Sequence, residues 1–330
     1  MKIVILGGAG AMAEVALDEL AKEAGVEKVT IADYNAAAAG EKAKKYGEKF
    51  DSVFIDATKP ETITSLVKNY DVAMGFIGPF YQFEAKIAKA CIDAGTHYVS
   101  ISDDYDAYLA VEKLFDEAKK AGVTVISGLG NSPGITNILA KKAYYSMDKP
   151  EKINIHWTGG SDETVGAANV KHVMHIFEGH TLQWMDGKEV WVKTGEGEKV
   201  VEFPQPIGVN TVFYTGHAES VSVPRNLKGL KEVTLHGGTK PVWISRFATV
   251  MGKLRLTDTP KKRQTLAQLF EPVLGLFATG GVDKKRLPNR RLRNEQGSSA
   301  PQLLHRGRPY SVHYKYSVRR RRADARQRRN

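Results

Sequence analysis

The chain has 330 residues, room for about two domains, and its 42% hydrophobic and 26% charged residues suit a globular body with a buried core. No apolar run approaches the ~20 residues needed to cross a bilayer, and the lone Cys91 excludes an intrachain disulfide framework or a multi-cysteine metal site. The net charge of +11 is uneven: residues 284–330 hold 13 Arg and 3 Lys against Glu295 and Asp324, a balance of +14, which leaves residues 1–283 at −3.

In chain order, Lys2–Leu6 reads as a buried strand that runs into a glycine turn with no signal-peptide cleavage site, so a cytoplasmic protein is expected. Met12–Ala24 has apolar residues at helical spacing. The pattern then repeats: strands at Lys28–Ala32, Ser52–Ile55, Val72–Ile77, Tyr98–Ser102 and Val123–Ser127, and helices at Ala36–Tyr46, Pro60–Asn69, Glu84–Ala94, Tyr108–Ala121 and from Ile135. Strands separated by helices predict βαβ units in a parallel, doubly wound Rossmann-type sheet. After about residue 150, Lys152–Trp157, Glu189–Lys193, Lys199–Phe203, Thr211–Tyr214 and Glu232–Leu235 read as strands with few helices between them. Ala167–Glu178 and Thr265–Leu276 are the helices expected there, the second interrupted at Pro272. The expected domains are a dinucleotide-binding domain over 1–134, an α+β substrate and dimerisation domain with a mixed or antiparallel sheet over 135–283, and a poorly packed arginine-rich tail over 284–330.

Gly7, Gly10 and Ala13 follow the first strand in a G-x-x-G-x-x-A spacing, with Gly8 between them. Dinucleotide binding needs such a tight turn, a bare backbone beside the pyrophosphate, and a small residue where helix meets strand. The amides of Gly7, Gly8, Gly10, Ala11 and Met12 are therefore candidates for the pyrophosphate; a glycine turn that merely packs helix on strand is the alternative. Asp33, twenty residues beyond Ala13, stands where a carboxylate accepts the adenosine ribose hydroxyls. A 2′-phosphate would be repelled there, and no basic residue follows until Lys42, so NAD is expected over NADP. Asp56, Ala57 and Thr58 after the third strand are placed near the adenine, and Gly78, Pro79 and Phe80 after the fourth near the nicotinamide-side ribose; both segments also suit ordinary turns.

Four segments carry a resemblance: Gly78–Tyr81, Ala94–Asp103, Gly128–Asn137 and Val223–Lys231. With these motifs in this order, the chain over roughly residues 1–282 resembles the saccharopine dehydrogenase family, which groups saccharopine reductases, lysine 6-dehydrogenases and carboxynorspermidine dehydrogenases. Asp33 together with Tyr81-Gln82-Phe83 leans toward the NAD-dependent lysine 6-dehydrogenase type. The resemblance implies NAD(P)-linked hydride transfer at a C–N bond of a lysine-like or saccharopine-like amino acid, with a homodimer and a small-molecule substrate. Polyamine chemistry of the carboxynorspermidine kind and a non-catalytic nucleotide sensor are the alternatives.

A substrate carboxylate needs a fixed cation, and Arg225, the first arginine in a body of only four, is the candidate, with a surface salt bridge as its other reading. Asn131, Ser132 and Pro133 precede a helix and are placed at the substrate. For the amine proton the candidates are Asp103, Asp104, Tyr81, His172 and His175; the aspartates suit a helix cap equally well. His172 and His175, one helical turn apart, lack a third ligand at matching spacing, so no metal is expected. Cys91 reads as an inert core residue. From residue 284 the chain departs from the family pattern, although His313–Val318 still resembles a strand. A change of reading frame near residues 284 and 319 is one account and a nucleic-acid-binding arm the other, with nucleic acid not the expected partner.

Overall fold

In a computed structural model of the protein, the residues described are 1–160, 167–205, 207–277 and 313–317. They fall into two units, Met1–Ile135 and Thr136–Asn330.

In the first unit the strands are β1 (Lys2–Leu6), β2 (Lys28–Asp33), β3 (Phe50–Phe54), β4 (Val72–Gly75), β5 (His97–Ser100) and β6 (Val125–Ile126). The helices are α1 (Glu14–Lys22), α2 (Ala36–Tyr46), α3 (Pro60–Val67), α4 (Phe80–Ala94), α5 (Tyr105–Glu112) and α6 (Phe115–Ala121). Among the described residues the six strands form one parallel sheet in the order β3-β2-β1-β4-β5-β6. Its strand order reverses between β1 and β4, which places a crevice beyond their carboxyl ends.

The period of two in β1 sorts its side chains to two cores. Ile3 and Ile5 pack with Leu17, Val29, Ile31 and Phe50, while Val4 and Leu6 pack with Ile63, Ile87 and Tyr98. Each fully buried Ile or Leu here contributes about 1.5–3 kcal/mol. Helix ends follow local chemistry: the Asn35 side chain accepts from Ala38 N at 3.1 Å to cap α2, and Gly95 in the left-handed region ends α4.

Strand ends in this unit shift by up to two residues from expectation, β6 shortening to Val125–Ile126, and the helices differ more. The first helix begins as a 3-10 turn at Ala11–Ala13 before α1, α4 starts four residues early at Phe80, and Tyr108–Ala121 is two helices that part at Lys113 and Leu114.

The second unit holds α7 (Ile135–Tyr145, whose first residue ends the first unit), β7 (Lys152–Gly160), α8 (Ala167–Ile176), β8 (His180–Met185) and β9 (Lys188–Lys193). It continues with β10 (Lys199–Glu202), β11 (Val209–Tyr214), α9 (Glu219–Asn226), β12 (Glu232–Lys240), α10 (Trp243–Lys253), α11 (Pro260–Phe277) and β13 (His313–Ser317). Its sheet runs β10-β11-β12-β7-β13, with β8 pairing β12 and β9. β12 and β7 are parallel and the other pairs antiparallel, so the sheet is mixed. One face carries Ile153, Ile155, Val233 and Leu235 against Ala140, Val223 and Ala248 of the helices. The alternate positions Asn154, His156, Thr158, Thr234 and His236 are polar, and Asn210 Nδ2 donates to Thr158 Oγ1 at 2.7 Å.

β8, α9 and α10 lack a sequence signal clear enough to predict them. α11 runs through Pro272 without interruption. Of the segment after residue 283, the described His313–Ser317 pairs antiparallel with β7, Lys315 opposite His156. The arginine runs at 290–293 and 319–322 lie outside the described residues.

Gly75, the last residue of β4, leaves room for a buried ring. A Cβ there would stand 2.1 Å from the Tyr98 hydroxyl, and Tyr98 is fully buried and bonded to Glu84. Gly75→Ala is expected to lower unfolding stability by about 1–3 kcal/mol in urea titration. Gly25→Ala, where nothing lies within 4 Å, should not; equal midpoints for the two variants would refute the packing argument.

Candidate functional site

The turn after β1 is packed on its inner side and open on its outer side. Gly7, at φ +84°, donates from N to Ala32 O at 2.7 Å, and a Cβ on it would meet the Phe76 carbonyl carbon at 2.8 Å. A Cβ on Gly8 would meet Ile31 Cγ2 at 2.8 Å. Gly10 differs, for a Cβ there would meet only Gly7 O, at 3.3 Å. Gly10, Ala11 and Met12 are exposed, whereas Ala13 is fully buried where helix meets strand. Close backbone approach on one side and free space at a helix start on the other suit a pyrophosphate.

Asp33 does something its spacing did not reveal. Its Oδ2 accepts from Ala9 N at 3.0 Å and its Oδ1 from Asn35 N at 2.9 Å, so the carboxylate braces the glycine turn and the start of the next loop. Beside it, Tyr34 and Phe54 are both exposed with ring centroids 5.5 Å apart, a pair that sequence reasoning passed over. Asp56 accepts from Thr58 Oγ1 at 2.7 Å and Thr58 N at 3.0 Å, and these bonds hold its carboxyl below the usual range. Ala57 packs on the core below.

At the ends of β4, β5 and β6, Gly78 and Pro79 lead into α4, and the buried Asp104 accepts from Tyr81 N at 2.9 Å in its first turn. Asp104 thus sits where a carboxylate meets the positive end of a helix, and its own carbonyl opens α5 by accepting from Tyr108 N. Asp103, next to it, is half-buried. Beneath lies Glu84, 1% exposed, which accepts from Tyr98 Oη at 2.8 Å, Ser127 Oγ at 2.8 Å and Ser100 Oγ at 2.5 Å. Burial pushes its carboxyl above the usual range despite these three donors. The loop with Asn131, Ser132 and Pro133 is closed on itself by Ile135 N donating to Gly130 O, and is tied to β5 through Leu129 N and Ser100 O at 2.7 Å.

In the second unit, His172 of α8 faces His217, ring centroids 5.4 Å apart, and His217 stacks on Trp157 at 5.0 Å and 16°. His217 lies between β11 and α9, where no spacing singles it out. Arg225, in the last turn of α9, makes an ion pair with Glu189 at 2.7 Å, so the expected carboxylate anchor already holds a carboxylate. His175 is half-buried on the same helix as His172. Cys91 is buried in α4, and burial pushes its thiol up to about 12, which leaves it inert.

Residues 3–126 match the family model described as the saccharopine dehydrogenase NADP binding domain. The chain is 27% identical over 231 residues to saccharopine dehydrogenase (NADP(+), L-glutamate-forming) of Saccharomyces cerevisiae, covering 66% of this chain and 48% of that one. It is 30% identical over 155 residues to the mitochondrial alpha-aminoadipic semialdehyde synthase of Rattus norvegicus, covering 46% of this chain and 15% of the other. The solved structure of apo saccharopine dehydrogenase (L-Glu forming) from Saccharomyces cerevisiae shares the fold at TM-score 0.55 and 22% identity, over 72% of this chain and 54% of that one. The chain thus spans about half the length of the yeast relative and less of the other. No helix among the described residues is long and apolar enough to cross a membrane.

These matches correct the cofactor. NAD was expected from Asp33, but the matched domain is NADP-binding and the yeast relative is named for NADP(+). The physical reason lies in the brace: Asp33 spends an oxygen on each of two backbone amides, so its charge is partly compensated before a nucleotide arrives.

Glu84 offers a test of the buried network. With its folded-state carboxyl raised above 4.5, the folded protein holds this proton more tightly, and the contribution is lost as pH rises above that value. Glu84→Gln removes that loss. Urea unfolding should therefore show the stability of Glu84→Gln relative to wild type increasing with pH above 4.5; a difference that stays flat with pH would refute the assignment.

Proposed function

We propose that the protein is an NADP-linked oxidoreductase acting at a C–N bond of a lysine-like or saccharopine-like amino acid, a reading supported by the match of residues 3–126 to the saccharopine dehydrogenase NADP binding domain. The observation that carries this is the glycine turn, packed on its inner face, open on its outer face, and leading from the first strand of a parallel sheet into a helix.

The amides of Gly7, Gly8, Gly10, Ala11 and Met12 hold the pyrophosphate, and Tyr34, Asp56 and Ala57 border the adenosine. Gly78 and Pro79 border the nicotinamide-side ribose. NADP, when bound, accepts or supplies the hydride. In the first unit, Asp103 or Tyr81 manages the amine proton, and Asn131, Ser132 and Pro133 are the substrate-binding candidates. In the second unit the candidates are His172 and Arg225, the latter taking a carboxylate in exchange for Glu189.

The test is calorimetric titration with NADPH and NADH, followed by NADPH absorbance with lysine, saccharopine and carboxynorspermidine as substrates. NADPH binding and turnover with lysine or saccharopine are expected. Turnover with carboxynorspermidine alone would move the protein to polyamine chemistry, and tight NADPH binding without turnover would make it a sensor. No heat with either nucleotide would end the reading.

A variant separates ligand binding from folding. Gly10 has φ −65°, a conformation open to any residue, and a Cβ on it would meet only Gly7 O, at 3.3 Å. Gly10→Val should weaken NADPH at least tenfold while shifting unfolding stability by less than about 1 kcal/mol. Unchanged NADPH affinity would show that nothing docks over this turn.

A further inference from the structure

A cation reaches the carbonyls of the glycine turn. Lys42, half-buried on α2, donates from Nζ to Gly10 O at 2.9 Å and lies 3.5 Å from Gly8 O. Both carbonyls belong to peptides of the turn assigned to the pyrophosphate. A carbonyl held by a cation on one side of a peptide leaves the amide dipoles of the loop aligned toward the other. The charged groups acting on Lys42 are Glu14, Lys45 and Asp33, and Glu14 is itself paired with Lys45 at 2.8 Å. Lys42 and Asp33 meet the Gly8–Ala9 peptide from its two ends, Lys42 at the Gly8 carbonyl and Asp33 at the Ala9 amide. No arginine or lysine lies between Asp33 and Lys42, so that stretch offers a 2′-phosphate no cation.

We propose that Lys42 is the residue that reconciles Asp33 with a 2′-phosphorylated dinucleotide. It positions the glycine turn through the carbonyls of Gly8 and Gly10, and it supplies the positive charge that keeps the pocket beside Asp33 from repelling the phosphate. This rests on the dinucleotide reading above. A 2′-phosphate carries roughly −1.5 to −2 at neutral pH, so removal of one nearby positive charge must weaken NADPH more than NADH, which lacks that group. A lysine that only held the turn in shape would act on both nucleotides alike.

The experiment is calorimetric titration of wild type, Lys42→Met, Lys42→Arg and Asp33→Asn with NADPH and NADH. Adenosine 2′,5′-bisphosphate and 5′-AMP serve as fragments that carry and lack the 2′-phosphate. Lys42→Met keeps the length of the side chain without its charge. It should raise the NADPH Kd about tenfold and the NADH Kd about threefold or less, with the same split between the two fragments. Lys42→Arg should recover most of the loss, and Asp33→Asn should shift preference further toward NADPH. Urea midpoints report whether each variant is folded. Equal weakening of NADPH and NADH by Lys42→Met, or no weakening of either, overturns the proposal. Wild-type protein that binds neither nucleotide overturns the dinucleotide reading and this proposal together, and differs visibly from a wild type that binds while the variant is unchanged.

Discussion

One carboxylate joins the parts of the first unit that matter. Asp33 ends β2, and its two oxygens take the amide of Ala9 in the glycine turn and that of Asn35 at the start of α2. Charge-assisted bonds to backbone N–H are among the stronger ones a fold can make. These two tie the tip of a strand, the turn from the neighbouring strand, and the helix that follows into one rigid corner. Lys42 closes the corner from α2 by reaching back to the carbonyls of the same turn. A residue type that reads as a ribose ligand is thus first a structural brace, and its charge has partners before any nucleotide is present.

A second constraint organises the other half of the sheet. Glu84 is buried in α4, with hydroxyls from β5 and from the residue after β6 on its oxygens. Gly75 at the end of β4 makes way for the Tyr98 ring that reaches it. Three strand ends and one helix therefore share a single polar node. The node costs the desolvation of a carboxyl, which its donors offset only in part, as the upward shift of its titration indicates. Above the node, Asp104 holds the first turn of α4, and Ser100 holds the loop that carries Asn131 and Pro133.

The second unit solves a different problem with the same periodicity. Its sheet puts Ile153, Ile155, Val233 and Leu235 on one face under helices, and threonines, asparagines and histidines on the other. On that polar face His236 is fully buried, and burial, reinforced by Lys199 and His156, drives its ring down to about 2, so it stays neutral there. On the apolar face the Trp157 ring provides the surface on which His217 stacks beside His172. The histidine that spacing pointed to and the one it missed are neighbours because β7, α8 and the loop after β11 pack together.

By itself the sequence determined the parallel sheet, the glycine turn, the family resemblance and most strand positions, because periodicity of burial and turn chemistry are local properties of the chain. It did not determine the helix starts at Phe80 and Glu14, the split at Lys113, or β8, α9 and α10, where packing outweighs weak local preference. It also mistook the cofactor, since spacing locates Asp33 at the ribose position but cannot show that its oxygens are already engaged. Only the tertiary structure decided what Asp33, Lys42, Glu84, His217 and Arg225 touch. Those partners lie tens of residues apart in the chain, and the charge a group presents to a ligand depends on which of its hydrogen-bonding positions the fold has already filled.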